Sequence, residues 1–390
     1  MRSLALVLIA LMLAGCWDNL DIERRALVLG TFVDLVSVKA GEGGEQDQFE
    51  LTMEMPILRR MAARAGGGGG GGGEGQEETL PTWRLTVTGS TFAEAMRKAA
   101  TRSERQLFFG HQKVLLIGQE LARRRNLVEV LDFWARSRES YLDITVLLAE
   151  GRAEEIFSAR PKFARSVSIF LQEQSERQIR TSRFIKHNLS EVWAALYGDR
   201  DILLSRVTVV PGQEPLELQV SGTGVIREGK LVGWLTPEET QAAHWVTGQV
   251  RGGEIIPLPV PELKRIFSLE LCRVENKVKS QVIGDTPTFT VKLYITADII
   301  EKIGSPEPLS APILRQIEER ADELIKQRVE YVIGKLQRQY QADVLGFGKK
   351  IEENNPRWWE AVKGNWRSIY AQAPVTVEVQ VSIRRTGMVS

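Results

Sequence analysis

The stretch WRLTVTG at 83–89, followed at once by STFAEAMRKAA at 90–100, sets a strand beside a helix. Its first half alternates and is rich in β-branched and aromatic residues, the composition of a pleated strand. Thr91 with Glu94 three positions on forms a capping box and predicts an amphipathic helix to about residue 105. The pattern then repeats. Leu107-Phe108-Phe109-Gly110-His111 leads into a strand at 113–117, a helix spans about 120–134, and a strand follows at 141–149. Strands alternating with helices imply a mixed α/β (α+β) fold, with helices packed on the faces of a sheet.

Upstream of that core, 26–38 reads as one apolar strand. Phe49, Leu51, Met53 and Met55 then alternate with polar residues, the period of a half-buried strand. Eight consecutive glycines at 66–73, with Glu74 and Gly75, predict a flexible glycine-rich loop at 66–75, since glycine has no side chain to bury and the most backbone entropy to lose. Downstream, 153–197 is mostly helical, and 203–210 and 216–220 read as strands around a Pro211-Gly212 turn. SGTGVIREGKLVGWL at 221–235 reads as a hairpin turning at Glu228-Gly229. Thr236-Pro237-Glu238-Glu239 caps a helix through about 246. Strands recur at 266–274 and 289–300. A long helix at about 312–340 carries one apolar face and is about 45 Å long at 1.5 Å per residue. Asp343 to Gly348 interrupts it. A second helix at about 356–370 holds Trp358, Trp359 and Trp366, read as core anchors, and Val375, Val377, Val379, Val381 and Ile383 alternate into a last strand. The expected division is an N-terminal α/β domain at 16–150, a middle helical and strand subdomain at 151–220, and a C-terminal α/β domain at 221–390.

The first residues address the chain. Met1-Arg2 and the apolar run 4–13 match a signal-peptide core and are too short to span a ~30 Å hydrocarbon layer. Leu13-Ala14-Gly15-Cys16 places small residues before a cysteine, the pattern cleaved ahead of a lipid-modified residue. Residues 1–15 are therefore read as a lipoprotein signal peptide and Cys16 as the lipidation site. Two or three acyl chains, each CH₂ worth roughly 0.8 kcal/mol when buried, hold a folded domain on a membrane. No later apolar stretch approaches the length of a second span.

The chain has 390 residues, with 51 Lys and Arg against 50 Asp and Glu. That balance excludes a polybasic nucleic-acid binder. The two cysteines, Cys16 and Cys272, allow no disulfide framework once Cys16 is acylated. His111, His187 and His244 match no metal-ligand spacing, and no nucleophile motif is present, so no catalytic residue, metal site or cofactor is expected. Gly224 to Lys230 fits the phosphate-loop spacing, but Leu231 stands where a hydroxyl is required and the setting is strand–turn–strand.

Several segments, in order, resemble the Ger(x)C family, the C subunit of nutrient germinant receptors in endospore-forming bacteria. They are Cys16-Trp17-Asp18 with Asp21-Ile22-Glu23, slightly out of the family's register; Phe108 to His111 with 113–118; Leu131-Asp132-Phe133-Trp134 before Arg136; Gly222-Thr223-Gly224 with KLVGWL at 230–235 and Glu238-Glu239-Thr240; and Asp343 to Gly348 with Trp358 and Trp366. The glycine run departs from the pattern. The resemblance implies a three-domain mixed α/β lipoprotein on the outer face of the spore inner membrane. It implies two polytopic membrane partners, one transporter-like, and no catalytic residues. Two other classes compete: a lipid-anchored solute-binding protein, which usually has two similar lobes, and an envelope hydrolase, for which no nucleophile set is present.

Overall fold

The computed structural model describes residues 24–40, 44–57, 82–137, 141–159, 161, 163–177, 182–212, 216–249, 252–304 and 308–386. Residues 1–15, expected as a signal peptide, the expected lipidation site Cys16 and the glycine run at 66–75 lie outside them.

The region expected as one strand at 26–38 forms two, β1 (Arg25–Leu27) and β2 (Gly30–Ala40). The chain changes partner between them: the Val28 amide donates to Phe108 O, and the Leu29 amide to Glu54 O. β3 (Gly44–Pro56) and β4 (Thr82–Gly89) are antiparallel, with Pro56 opposite Thr82, so the glycine run joins two paired strands. α1 (Phe92–Ala100) starts at Thr91, whose hydroxyl accepts from the Glu94 amide, while Glu94 reaches the Ser90 amide. It ends before residue 105, because the Thr101 and Ser103 hydroxyls bond backbone carbonyls and end the helical run. Among the described residues, β5 (Gln106–Phe108) pairs only with β1. After β6 (Val114–Ile117), the helix expected at 120–134 is split into α2 (Gln119–Arg124) and α3 (Leu127–Arg136), since Asn126 caps the second with its side chain. β7 (Thr145–Ala149), α4 (Ala153–Ile156), α5 (Val167–Glu176), α6 (Leu189–Tyr197) and β8 (Ile202–Val210) follow.

β9 (Glu217–Arg227) and β10 (Lys230–Leu235) are the expected hairpin, with Glu228 and Gly229 both at positive φ, the two-residue turn that suits strand twist. α7 (Pro237–Thr247) has the full capping box. β11 (Glu254–Val260), β12 (Arg265–Ile283) and β13 (Thr286–Ile303) come next. The last two run well past their expected ends, because the outward face continues in charged and polar residues. α8 (Ala311–Gly334) passes into a π-turn at Lys335–Tyr340. α9 (Phe347–Asn354) follows, and the one helix expected at 356–370 is two, α10 (Pro356–Val362) and α11 (Trp366–Gln372), divided at Lys363–Asn365 around Gly364. β14 (Val375–Arg385) closes the chain.

Eight strands form one mixed sheet in the order β10-β9-β8-β7-β6-β2-β3-β4. β2, β6, β7 and β8 are parallel at its centre, with antiparallel strands on both flanks. One face packs under α1, α3 and α6 around Leu51, Leu115, Trp134 and Leu189. The other packs under α4 and α5 around Phe32, Leu116, Leu147 and Leu171. The sheet runs across residue 150, and residue 220 falls inside β9; the 151–220 stretch supplies β8, part of β9 and helical cover on both faces. A second sheet, β11-β12-β13-β14, buries one face against α8 and α7. Pro257 and Pro259 lie on its edge strand β11, where missing amides discourage strand addition.

Candidate functional site

Three of the family-like segments, 222–224 with 230–235, 238–240, and 343–348 with Trp366, meet where the two sheets join, whereas 108–118 lies on β5 and β6 and 131–136 on α3. β10 is an edge of the large sheet, and its Trp234 carbonyl would otherwise lack a strand partner. Tyr340 Oη donates to it at 2.9 Å and Lys335 Nζ at 3.3 Å. Both donors lie on the π-turn that ends α8, an irregularity that often marks a functional position. Lys335 also donates to both oxygens of Glu239, each at 2.8 Å. Burial works against the ammonium, but the Glu239 bonds outweigh it and raise its pKa. Gly233 is needed here: a Cβ would stand 2.3 Å from the Tyr340 ring.

A second knot lies beside the first. Asp343 is half-buried, and its Oδ1 accepts from the Phe347 amide at 2.8 Å. Its Oδ2 accepts from the Gly348 amide at 2.6 Å and from Trp366 Nε1 at 3.0 Å. The carboxylate thus satisfies the open amides at the start of α9, where the helix dipole favours negative charge. Burial pushes its pKa up, and the three donors pull against that rise. The Asp343 amide in turn donates to Asp201 Oδ2 at 2.9 Å, just before β8. Asp201 also accepts from the Glu228 amide in the β9–β10 turn and from Arg367 on α11. Arg227 reaches Tyr340 O at 2.9 Å and Arg367 reaches Gln341 O at 3.0 Å. Behind the knot, Phe347 stacks on Phe289 with ring centres 4.5 Å apart.

α7 is wedged between the sheets, with every residue from Glu239 to Val246 buried. Thr240 Oγ1 lies 3.0 Å from Thr223 Oγ1 on β9. His244 is enclosed, and burial lowers its pKa to about 4, so it is neutral near pH 7. His187 lies beside Glu191, and His111 sits edge-on to Phe108; the three histidines occupy separate places. Cys272 is half-buried on β12, 3.5 Å from an Arg384 nitrogen, and desolvation raises its pKa. Trp366 is buried against Trp359 and Tyr370, whereas Trp358 and Trp359 are only partly covered. Among the described residues no group of His, Cys, Asp and Glu is placed to hold a metal ion, and no helix is long and apolar enough to cross a membrane.

Two further carboxylates were not singled out in the sequence. Asp34 on β2 accepts from the Ala153 and Glu154 amides that open α4. Glu54 on β3 accepts from the Val167 and Ser168 amides and from Ser168 Oγ at the start of α5. For Asp34 the available signal was an acid inside an apolar strand; Glu54 falls at a polar position of an alternating strand and gave no such signal. Chemically, among the described residues, the arrangement sets no nucleophile beside a base. What it offers is directed bonding between the two sheets, concentrated in one joint.

Comparison with known proteins places this joint in a family context. Residues 18–209 match the family described as "Spore germination protein N-terminal domain", and residues 221–387 match "Spore germination B3/ GerAC like, C-terminal". The chain is 25% identical to Spore germination protein YndF of Bacillus subtilis (strain 168), over 99% of this chain and 97% of the relative. It is 24% identical to Spore germination protein B3 of the same organism, over 97% and 96%. Among solved structures it is similar to the crystal structure of the GerBC protein, with a TM-score of 0.59 and 20% identity over 90% of this chain and 97% of that one.

Proposed function

The chain belongs to the Ger(x)C family of spore germination proteins, and from that premise we propose that it is the lipid-anchored, non-catalytic subunit of a nutrient germinant receptor. A role in spore germination follows from the family itself. The finer reading has four parts. Cys16 carries the lipid after removal of residues 1–15. The folded part stands on the outer face of the spore inner membrane. Its partners are two polytopic membrane subunits, one transporter-like. The 16–150, 151–220 and 221–390 divisions are kept as three parts of the chain, all of which give strands to the large sheet, the last through β9 and β10.

The observation that carries this reading is the span of the two family matches, which together run from residue 18 to residue 387. The joint between the sheets suits a subunit that passes a displacement between partners, because its two sides are tied by directed bonds. The test is a crosslinked pull-down of the tagged protein from dormant-spore inner membrane, beside a Cys16→Ala version. Recovery of both polytopic subunits with the wild type, and their loss with Cys16→Ala, is the expected result. A membrane-bound protein that brings down neither partner would overturn the receptor reading and favour solute binding. Deletion should block the response to a nutrient while leaving growth and sporulation intact.

A further inference from the structure

Around the end of α1 the surface is cationic in a chain that is otherwise balanced. The Thr101 amide donates to Lys98 O, and the Arg102 and Ser103 amides both donate to Ala99 O. Ser103 Oγ then donates to Arg105 O at 2.6 Å and accepts from the Arg105 amide at 3.3 Å. These bonds fold the turn into β5 back on the helix and gather Arg97, Lys98, Arg102 and Arg105 around its end. β1 pairs with β5, Arg25 opposite Gln106, which brings Arg24 and Arg25 to the same place. Six cations stand against two acids, Glu94 and Glu104, a local excess of four where the whole chain has a net charge of +1.

Part of this charge has local work. Lys98 pairs with Glu94 and donates to Thr88 O, Arg102 donates to Thr86 O, and Arg25 stands over the Phe108 ring at 4.5 Å. Basic residues also suit the negative end of a helix dipole. Those roles do not absorb Arg24, Arg97 and Arg105, which are exposed and have no carboxylate partner among the described residues. Beside them is an open hollow of about 530 Å³, walled by Met96, Leu107 and Phe133, which remain partly uncovered. Spare cations around uncovered apolar side chains are the surface that settles on an anionic bilayer: the charges draw the protein to the head groups and the apolar groups sink among them.

We infer that the end of α1, with the turn into β5, docks on anionic lipid head groups. Chain length agrees with this choice of partner. The described residues start inside the cationic face, and from Cys16 to Arg24 is eight residues, at most about 28 Å when fully extended. An acylated Cys16 therefore holds this face, rather than the small sheet, close to the bilayer. That agreement rests on the lipid-anchor reading; the charge and the uncovered apolar groups do not. The docked face adds a second membrane contact to the anchor and sets which way the folded part is turned.

The test places the full-length protein on vesicles of phosphatidylcholine, alone or with about one third phosphatidylglycerol. In a Cys272→Ser background, a fluorophore on Ala100→Cys reports on this face, and one on Lys39→Cys reports on an exposed strand end elsewhere. Quenching by a spin label on the lipid head group should rise at 100, and not at 39, when the anionic lipid is present. Arg97→Glu with Arg105→Glu should abolish the rise, and Arg97→Lys with Arg105→Lys should keep it. No rise at 100 in vesicle-bound protein overturns the docking and leaves the anchor standing. Failure of the protein to sediment with neutral vesicles would instead count against the anchor. Docking is then read from sedimentation with the anionic vesicles, where the double Glu variant should bind about thirtyfold or more weakly and equal binding overturns the inference. Sodium chloride and sodium phosphate at equal ionic strength should weaken the quenching equally; a larger loss in phosphate would assign the cations to a free anion and overturn the membrane as their partner.

Discussion

Strand β6 is buried at all four of its positions, Val114 to Ile117, whereas β13 alternates buried Phe289, Val291, Leu293 and Ile295 with more exposed neighbours. The first lies in a sheet covered on both faces, the second in a sheet covered on one. The same kind of residue therefore has different consequences in the two regions. A carboxylate on a helix-covered face of the large sheet is enclosed and must be matched by donors, as Glu54 is by the start of α5. A carboxylate on the outer face of the small sheet stands in water, as Glu378 does beside Lys292. Water substitutes for a lost partner in the second case and cannot in the first.

The largest expected break in this comparison is Glu54→Ala. Three donors, the Val167 and Ser168 amides and Ser168 Oγ, lose their acceptor inside the protein. Leaving a buried donor without an acceptor costs about 1–3 kcal/mol, and three are left here, so the urea midpoint should fall far. A loss below about 1 kcal/mol would mean that α5 is held by its apolar contacts alone.

The seam between the sheets supplies the next effect, and it is one of pH. His244 is neutral when folded, its pKa lowered by burial to about 4 from an unfolded value of 6.5. Between those values the unfolded chain binds a proton that the folded chain does not. Stability contributed by this group is therefore complete above about pH 6.5 and is lost as pH falls toward 4, by up to about 3 kcal/mol. His244→Gln should flatten that part of the stability profile. An unchanged slope would mean that other groups carry the acid sensitivity.

Gly233→Ala tests the joint from the side of the large sheet. Its new Cβ would meet the Tyr340 ring at 2.3 Å, and that ring cannot move without giving up its bond to Trp234 O. Overpacking of this kind costs about 1–3 kcal/mol. Tyr340→Phe in the same background removes the hydroxyl but keeps the ring, so it should not relieve the loss; a rescue would place the clash at the hydroxyl.

The contrast between the sheets also explains what a reader of the sequence can see. One-faced burial leaves a two-residue period, and β13 and β14 are plain from it at 289–295 and 375–383. Two-faced burial erases the period: VLLI and TVLLA announce strands without saying which strands flank them. The order β10-β9-β8-β7-β6-β2-β3-β4 depends on pairings between distant residues, for which no local signal exists. The joint was half visible. Its 222–240 and 343–348 segments stood out by resemblance, but Asp201, which ties Asp343 to the β9–β10 turn, sits in an unremarkable Asp-Arg-Asp run. Asp34 was legible in principle, as an acid within an apolar strand, whereas Glu54 sits at a polar position of an alternating strand and its burial under α5 left no local signal. The splitting of the helix at 120–134 was legible too, since Asn126 is a capping residue placed between two apolar groups.

The smallest effect is the one that sharpens the comparison most. Glu378 on β14 pairs with Lys292 on β13, directly across the open face, and the hydrogen bond from Lys292 to Glu378 raises the lysine's pKa. Read as a contact, this pair resembles Lys335 with Glu239 at the joint. Read by surroundings it does not, because both partners reach water while the joint pair is mostly enclosed. Glu378→Ala should leave the urea midpoint unmoved within error, and high salt should leave it unmoved as well, since exposed pairs gain little and are screened. Glu239→Ala measured beside it should lower the midpoint clearly, because Lys335 would be left enclosed without its carboxylate. If the two substitutions cost the same, burial is not what separates the sheets, and the difference between their strand patterns would have to be traced to local pairing instead.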